Sequence, residues 1–316
     1  MELEMIEVRI SYDYELFWGV WDKVSPSYVS TNVQNANAVT RGLVALHKKH
    51  GICCTFAIVG AMLDRQHAPR TIMQKSARSI EEISNFELCA APFGDQDDLF
   101  RAPDDIIEEL ESDPLFELGS HTNTHIYALG ASESALRADF EQFDALFFHR
   151  FGFRPKVLVM PKNQVTLEAL EVAASFGYES VRVNPDIRIY RPVHWGWFTA
   201  SVIRLIRFAD AFLPIVEFSR TDQFTEKRTG QMRIHVGQYF LRPWFSRTGV
   251  FTLHLLRMQL AVFLSRFRNH QVHFWLHPHN LGREPEQALA NYDRFLTWLK
   301  KQEEKGTIQF SHMADK

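Results

Sequence analysis

Short apolar runs of strand length, each separated from the next by a segment with helical periodicity, recur along this 316-residue chain and leave it few folds. Ile6-Glu7-Val8-Arg9-Ile10-Ser11-Tyr12 alternates apolar and polar side chains as a strand does. Residues 37–50 follow as a helix. Ala38, Val39, Gly42, Leu43, Ala45 and Leu46 form its small or apolar face, Lys48 and Lys49 lie in its last turn, and Gly51 caps it. Residues 53–59 are nearly continuously apolar, the pattern of a strand buried on both faces. The rhythm repeats through a helix at 103–110 with an acidic first turn, a strand ending near Gly119, and a helix at 132–150 with Leu136, Phe140, Phe143 and Phe147 on one face. A strand at 157–160, a helix at 166–175 and a strand at 178–183 continue it. Strands alternating with helices predict an α/β fold with a parallel sheet closed into a barrel, and function at the carboxyl ends of its strands.

Two stretches depart from the rhythm. Residues 68–101 have weak periodicity and read as an irregular excursion. Residues 193–268 read as a helical insertion or lid within a single domain spanning 1–316. Trp195-Gly196-Trp197 opens an apolar run at 198–216, interrupted by Arg204, Arg207 and Asp210, and a second run covers 250–267. A pair of core helices is the plain reading of these runs. The alternative is an amphipathic face lying on a membrane, with Arg204, Arg207 and Arg268 at the headgroups. No window approaches eighteen uninterrupted apolar residues, so no span is expected. The strand–helix rhythm then resumes with a strand at 271–276, ending in His277-Pro278-His279-Asn280, and a long amphipathic helix at 285–301.

A formal net charge of −3 offers no basic footprint for nucleic acid. Cys53, Cys54 and Cys89 are odd in number and two are adjacent, which argues against a disulfide framework and for a reducing compartment. The first residues, Met1-Glu2-Leu3-Glu4-Met5, carry acids where a secretory signal carries positive charge, so a cytoplasmic protein is expected.

The expected strand ends carry the chemistry. Asp13 and Glu15, two apart at the end of the first strand, project to one side of an extended chain and can serve as one metal ligand and one base. Phe116-Glu117-Leu118-Gly119-Ser120-His121-Thr122-Asn123-Thr124-His125 delivers two histidines four apart, a spacing at which two imidazoles on one helix face grip a divalent ion. Position 122 is Thr, so this is not the zinc-protease signature, which needs Glu there. Pro161-Lys162-Asn163 and His277 end two further strands. Two histidines and one carboxylate leave coordination positions open for a water and a carbonyl oxygen. A second carboxylate can take the water's proton and a histidine opposite can protonate a leaving amine, which is a kit for amide hydrolysis. The same ligands also make the facial triad of non-haem iron oxygenases, but those place a carboxylate where this chain has Asn123.

In order and spacing these elements resemble the polysaccharide deacetylases, the carbohydrate esterases with a NodB homology domain. The resemblance runs from Ile6 to Gly306, apart from 193–268, and is most specific at His121-Thr122-x-x-His125. It implies a distorted (β/α) barrel of the NodB type with fewer strands than the eight-stranded form, and hydrolysis of an acyl group from a sugar. It also implies Glu15, His121 and His125 as ligands of a divalent ion, zinc first, with cobalt, nickel, manganese or iron as alternatives. By the same likeness Asp13 is the base and His277, in Leu276-His277, the catalytic acid, although Asp13 and Glu15 can exchange roles. The family's paired aspartates are spaced here as Asp13-Tyr14-Glu15, and its Arg-x-Pro-Tyr motif becomes Met160-Pro161-Lys162-Asn163-Gln164. Lys162, Asn163 and Arg182 are therefore expected to orient the site or bind substrate, together with Trp18. His279, after Pro278, is expected to point away.

The combination of Asp-x-Glu-x-x-Trp-Gly, Pro161-Lys162-Asn163-Gln164 and Trp275-Leu276-His277-Pro278-His279-Asn280-Leu281 looks most like members associated with bacterial surface-polysaccharide synthesis. The expectation is a metal-dependent deacetylase of an acylated amino sugar that is nucleotide- or lipid-linked, with peripheral membrane contact through 193–268 as one reading of that stretch. A deformylase of a lipid-linked formamido sugar, or an inactive sugar-binding barrel, are the alternatives.

Overall fold

The computed structural model describes residues 5–21, 31–67, 69, 71–72, 97–185, 187–190, 197–213, 232–241, 248–267 and 271–315. Nine strands make one sheet: β1 (Ile6–Tyr14), β2 (Cys54–Ile58), β3 (Phe116–Ser120), β4 (Val157–Val159), β5 (Ser180–Val183), β6 (Arg233–Val236), β7 (Tyr239–Phe240), β8 (Gln271–Leu276) and β9 (Ile308–Phe310). The order is β6-β5-β4-β3-β2-β1-β8-β7, with β9 paired to the start of β1. Every pairing is parallel, so all the carboxyl ends share one face. The helices between them are α1 (Ala36–His50), α2 (Asp104–Ser112), α3 (Glu133–Phe151), α4 (Leu167–Ser175), α5 (Trp197–Asp210), α6 (Thr248–Ser265) and α7 (Pro285–Glu304).

The central strand β1 explains the sequence alternation. Ile6, Val8, Ile10, Tyr12 and Tyr14 pack in the main hydrophobic core. Tyr12 shares its hydroxyl with His47 of α1 at 2.5 Å and with Tyr292 of α7 at 2.6 Å. Arg9, Ser11, Asp13 and Glu15 point the other way and are buried too. The alternation therefore separates a helical layer from a polar barrel interior, and β1, paired to β2 and β8, is no solvated edge.

The sheet is curled strongly. Arg182 on β5 donates to Ser11 and Asp13 on β1 and lies 4.3 Å over the Trp275 ring of β8, although β4, β3 and β2 separate β5 from β1 along the sheet. Gly237, between the edge strands β6 and β7, bridges the remaining gap. Its N–H donates to the Val183 carbonyl of β5, and its carbonyl accepts from the Trp275 indole. A Cβ there would stand 3.0 Å from the Arg182 side chain and 3.2 Å from the Trp275 ring, so a glycine suits the closure. At the amino-terminal end the barrel is filled by the chain's last residues. Met313 packs with Ala57, Val157 and Val159, and the Met313 and Ala314 N–H groups both donate to Glu117, at 2.9 Å.

The 193–268 stretch, read as a helical insertion or lid, contains strands as well as helices. It supplies α5 and α6 as expected, but β6 and β7 lie inside it and extend the sheet. Strands this short carry little periodicity: β6 has four residues and β7 two. Most of 68–101, Trp195, Trp244 and Arg268 lie outside the described residues.

Burial lowers the His47 pKa to about 4, so the folded protein keeps this imidazole neutral. Between the ordinary value of 6.5 and about 4, the unfolded chain binds a proton that the folded chain does not, so stability falls as pH drops through that window. The expected outcome is a urea midpoint that declines from pH 7 to pH 5 more steeply in the native protein than in His47→Gln. Equal slopes would contradict it.

Candidate metal centre and acid–base pair

Glu15, His121 and His125 meet at the carboxyl ends of β1 and β3, all buried, with one donor atom of each within 4.8 Å of the others. The Nε2 atoms of His121 and His125 stand 3.1 and 3.0 Å from the same Glu15 oxygen, Oε2. His121 donates from Nδ1 to the Val159 carbonyl at 2.8 Å, which leaves the Nε2 lone pair facing the carboxylate. A lone pair aimed at a carboxylate oxygen is repulsive unless a cation or a proton lies between them. Two imidazoles and a carboxylate are a borderline donor set that suits a first-row divalent ion, so these residues fit the metal that the sequence implies.

The two histidines do not share a helix, contrary to the spacing argument. After β3 the chain enters a turn in which Thr122 and His125 both take left-handed backbone angles, φ 65° and 59°. Such angles are costly for non-glycine residues and persist where surrounding structure fixes them. Asp139 of α3 supplies the fixing: its carboxylate accepts from the Asn123 N–H at 2.7 Å, the Thr124 N–H at 3.0 Å and the Thr124 hydroxyl at 2.7 Å. Sequence reading missed Asp139, yet a lone acid between Leu136 and Phe140 on an apolar helix face was a signal for a buried polar contact.

Glu15 is placed by a neighbour as well. A Cβ on Gly19 would lie 2.0 Å from Glu15 Oε1, so the carboxylate occupies the space that any side chain at 19 would need. Burial by itself would raise the Glu15 pKa, but the neighbouring imidazoles of His277, His125 and His121 more than offset this and hold it well below the usual carboxylate range.

Asp13 lies beside this cluster. Burial opposes its charge, and the Arg182 guanidinium, with His121 and His277, more than offsets that, so its pKa is lowered. Arg182 donates to Oδ2 at 2.6 Å, while Oδ1 is buried with no hydrogen-bond partner among the described residues. His277 sits 3.6 Å from both Asp13 Oδ2 and Glu15 Oε1. The Asn280 side-chain amide lies 3.2 Å from its Nδ1, so Nε2 is the nitrogen that faces the carboxylates.

Other expected site residues fall elsewhere. Trp18 is fully buried and donates its indole N–H to the Phe100 carbonyl at 2.8 Å, so it has no face for a sugar. Its motif mattered for Gly19 instead. Arg182 is fully enclosed, and Asn163 accepts from it at 3.1 and 3.0 Å, so this pair orients Asp13 and does not line the mouth. Lys162 is exposed at the rim, with its Nζ 3.3 Å over the Tyr127 ring, which in turn meets His125 edge-on. His279 does not point away: it stacks on His277 with centroids 5.0 Å apart, and its Nδ1 lies 3.8 Å from Glu15. A short helical turn at Pro278–Leu281 brings it inward. Burial, with the neighbouring His277, lowers its pKa to about 4.

A family model described as polysaccharide deacetylase matches residues 24–181, half of the chain. The chain belongs to the polysaccharide deacetylase family. The matched region holds His121, His125 and the 161–163 turn; Asp13, Glu15 and His277 lie outside it. A crystal structure of a protein from Mycobacterium smegmatis described as a polysaccharide deacetylase aligns over 98% of this chain and 89% of its own, with 12% identity and a TM-score of 0.51. A family 4 acetyl xylan esterase from Clostridium thermocellum in complex with a cobalt ion aligns over 97% and 87%, at 10% identity and a TM-score of 0.43. A family 4 pseudoenzyme from Bacillus anthracis aligns over 99% and 65%, at 11% identity and a TM-score of 0.46. No curated protein matches the chain. The curled parallel sheet with its helices is the NodB-type barrel.

Replacing Gly19 by Ala forces Glu15 off its two histidines. The expected result is zinc affinity about 10–100-fold weaker in a chelator competition, the size typical of disturbed supporting residues, with unchanged circular dichroism. Unaltered affinity would mean that Glu15 is not a ligand.

Proposed function

We propose that this protein is a metal-dependent hydrolase, working in the cytoplasm, that removes an acetyl group from the nitrogen of an acylated amino sugar, a nucleotide- or lipid-linked intermediate of bacterial surface polysaccharide. The observation that carries the reading is the division of labour around Asp13. One of its oxygens is tied to Arg182 and the other has no hydrogen-bond partner among the described residues, 3.6 Å separates Oδ2 from His277, and a separate three-donor cluster stands beside it.

In this reading Glu15, His121 and His125 hold the divalent ion. When bound, such an ion polarises the acyl carbonyl and makes water more acidic. Asp13 accepts the proton of the attacking water at Oδ1, while the Arg182 contact at Oδ2 keeps the carboxylate ionised and fixes its direction. His277, entering as the imidazolium, gives its Nε2 proton to the departing sugar nitrogen and is left as the neutral imidazole, with the Asn280 side-chain amide against its Nδ1. Lys162, exposed on the rim beside Tyr127, supplies a cation for the phosphate of a linked carrier.

The test is incubation of the zinc-loaded protein with acetylated and formylated amino sugars, free and phosphate-linked, and detection of released acid by mass spectrometry. Acetate release that a chelator abolishes and zinc restores is expected. His277→Ala should lose about 10²–10⁴-fold in turnover, the usual worth of a general acid, and keep its metal. Formate alone would shift the reading to a deformylase. No acid from any substrate, or metal loss in His277→Ala, would overturn it.

A further inference from the structure

Among the described residues, nine of the thirteen exposed large apolar side chains lie between residues 202 and 267, on α5, α6 and their ends. On α6 they form one stripe. Leu253, Leu256, Leu260, Phe263 and Phe267 follow one another at intervals of three and four, each 40–73% exposed, while His254, Leu255, Met258, Ala261 and Val262 of the same helix are buried. On α5, Leu205 and Phe208 are 67% and 50% exposed. The core-pair reading accounts for the inner faces of these helices and leaves the outer ones bare.

The charges on the two helices decide what covers those faces. Asp210 is the only acid in either helix, and it is buried against Arg257 at 3.4 Å and the Tyr190 hydroxyl at 2.8 Å. Arg204 of α5 is exposed, and Arg266 just past α6 is half-buried. Among the described residues of these two helices and their ends, the exposed charge beside the apolar stripes is thus cationic, on a chain whose net charge is −3. A face with charge of one sign disfavours a second copy of itself and favours a surface of the opposite sign. No helix of the described residues is long and apolar enough to cross a membrane, so the fit is to a surface and not to a span.

The helices are also wired to the mouth of the barrel. Asn184, just past β5, donates to the carbonyls of Asn163 and Tyr190. Tyr190 donates to Asp210, Arg207 donates to the Ile189 carbonyl, and Arg257 and His254 of α6 bond to the end of α5 at Asp210 and Ala211. From these observations we propose that the outer faces of α5 and α6 dock on an anionic lipid bilayer, with leucine and phenylalanine side chains in the acyl boundary and Arg204 and Arg266 at the headgroups. Docked this way, the protein presents the rim near Asn163 and Lys162 to a substrate carried by that bilayer. The last step rests on the deacetylase reading; the docking itself does not.

Flotation of the full-length protein with vesicles tests the docking without any turnover. The native protein is expected to float with phosphatidylglycerol-containing vesicles, to float less with pure phosphatidylcholine, and to be released by salt. Arg204→Gln should weaken partitioning about fivefold, since one basic residue near an anionic surface is worth ~1 kcal/mol. Leu256→Glu and Phe263→Glu should abolish it, and because these side chains are exposed, thermal unfolding should be unchanged. Should either fail to fold, the native protein and Arg204→Gln still decide the matter. A native protein that stays at the bottom of the gradient with both vesicle types overturns the proposal. So does binding that is indifferent to lipid charge and salt, or a native dimer in light scattering that Leu256→Glu converts to monomer, since a second copy would then cover the stripe.

Discussion

A fully buried guanidinium holds this molecule's interior together. Arg182 on β5 cannot be left unpaired inside the barrel, because an uncompensated charge there costs several kcal/mol. Its donors are spent on Asp13, Ser11 and Asn163, and its plane rests on Trp275, so one side chain ties β5 to β1, β8 and the turn after β4. The curvature of the sheet and the direction of the Asp13 carboxylate are two consequences of the same contact. Removing Asp13 would remove the proposed base and at the same time strand the arginine.

Much of this was legible in the chain, for a definable reason. Strands buried on both sides must be apolar or strictly alternating, so β1, β2, β3 and β8 stood out, and helices covering them carry the 3.6-residue stripe seen in α1 and α3. Polar residues at the ends of such strands need a purpose, and Asp13, Glu15, His121, His125 and His277 do converge at one face. What escaped was whatever depends on contacts distant in sequence. His121 and His125 meet through a strained turn fixed by Asp139, not through helical spacing, and no local pattern reports that. The inward turn of His279 and the role of Gly19 as room for Glu15 are likewise set by packing. Trp18 reads from the sequence as a substrate contact, but its indole is satisfied by Phe100 inside the core. β6 and β7 are too short to announce themselves, and they are held through Gly237 to neighbours far along the chain.

On the proposed function, the arrangement separates two tasks that a deacetylase of a carried sugar needs. The chemistry sits at the strand ends, where donors come from β1, the turn after β3 and the turn after β8, each fixed by a partner on a different element. The outer face of α5 and α6 is bare of acid and rich in exposed leucine and phenylalanine, and hydrogen bonds through Tyr190 and Asn184 join it to the rim. An enzyme built so can hold its site rigid while it meets a substrate that does not diffuse freely.

The central claim is that Glu15, His121 and His125 form one metal centre, and zinc-edge X-ray absorption on the loaded protein examines it most directly. The account predicts one bound zinc with a first shell of nitrogen and oxygen at about 2.0–2.2 Å, the scattering of two imidazoles, and loss of one imidazole in His125→Ala. A shell containing sulfur, or a spectrum without imidazole scattering or unaffected by that replacement, would contradict it.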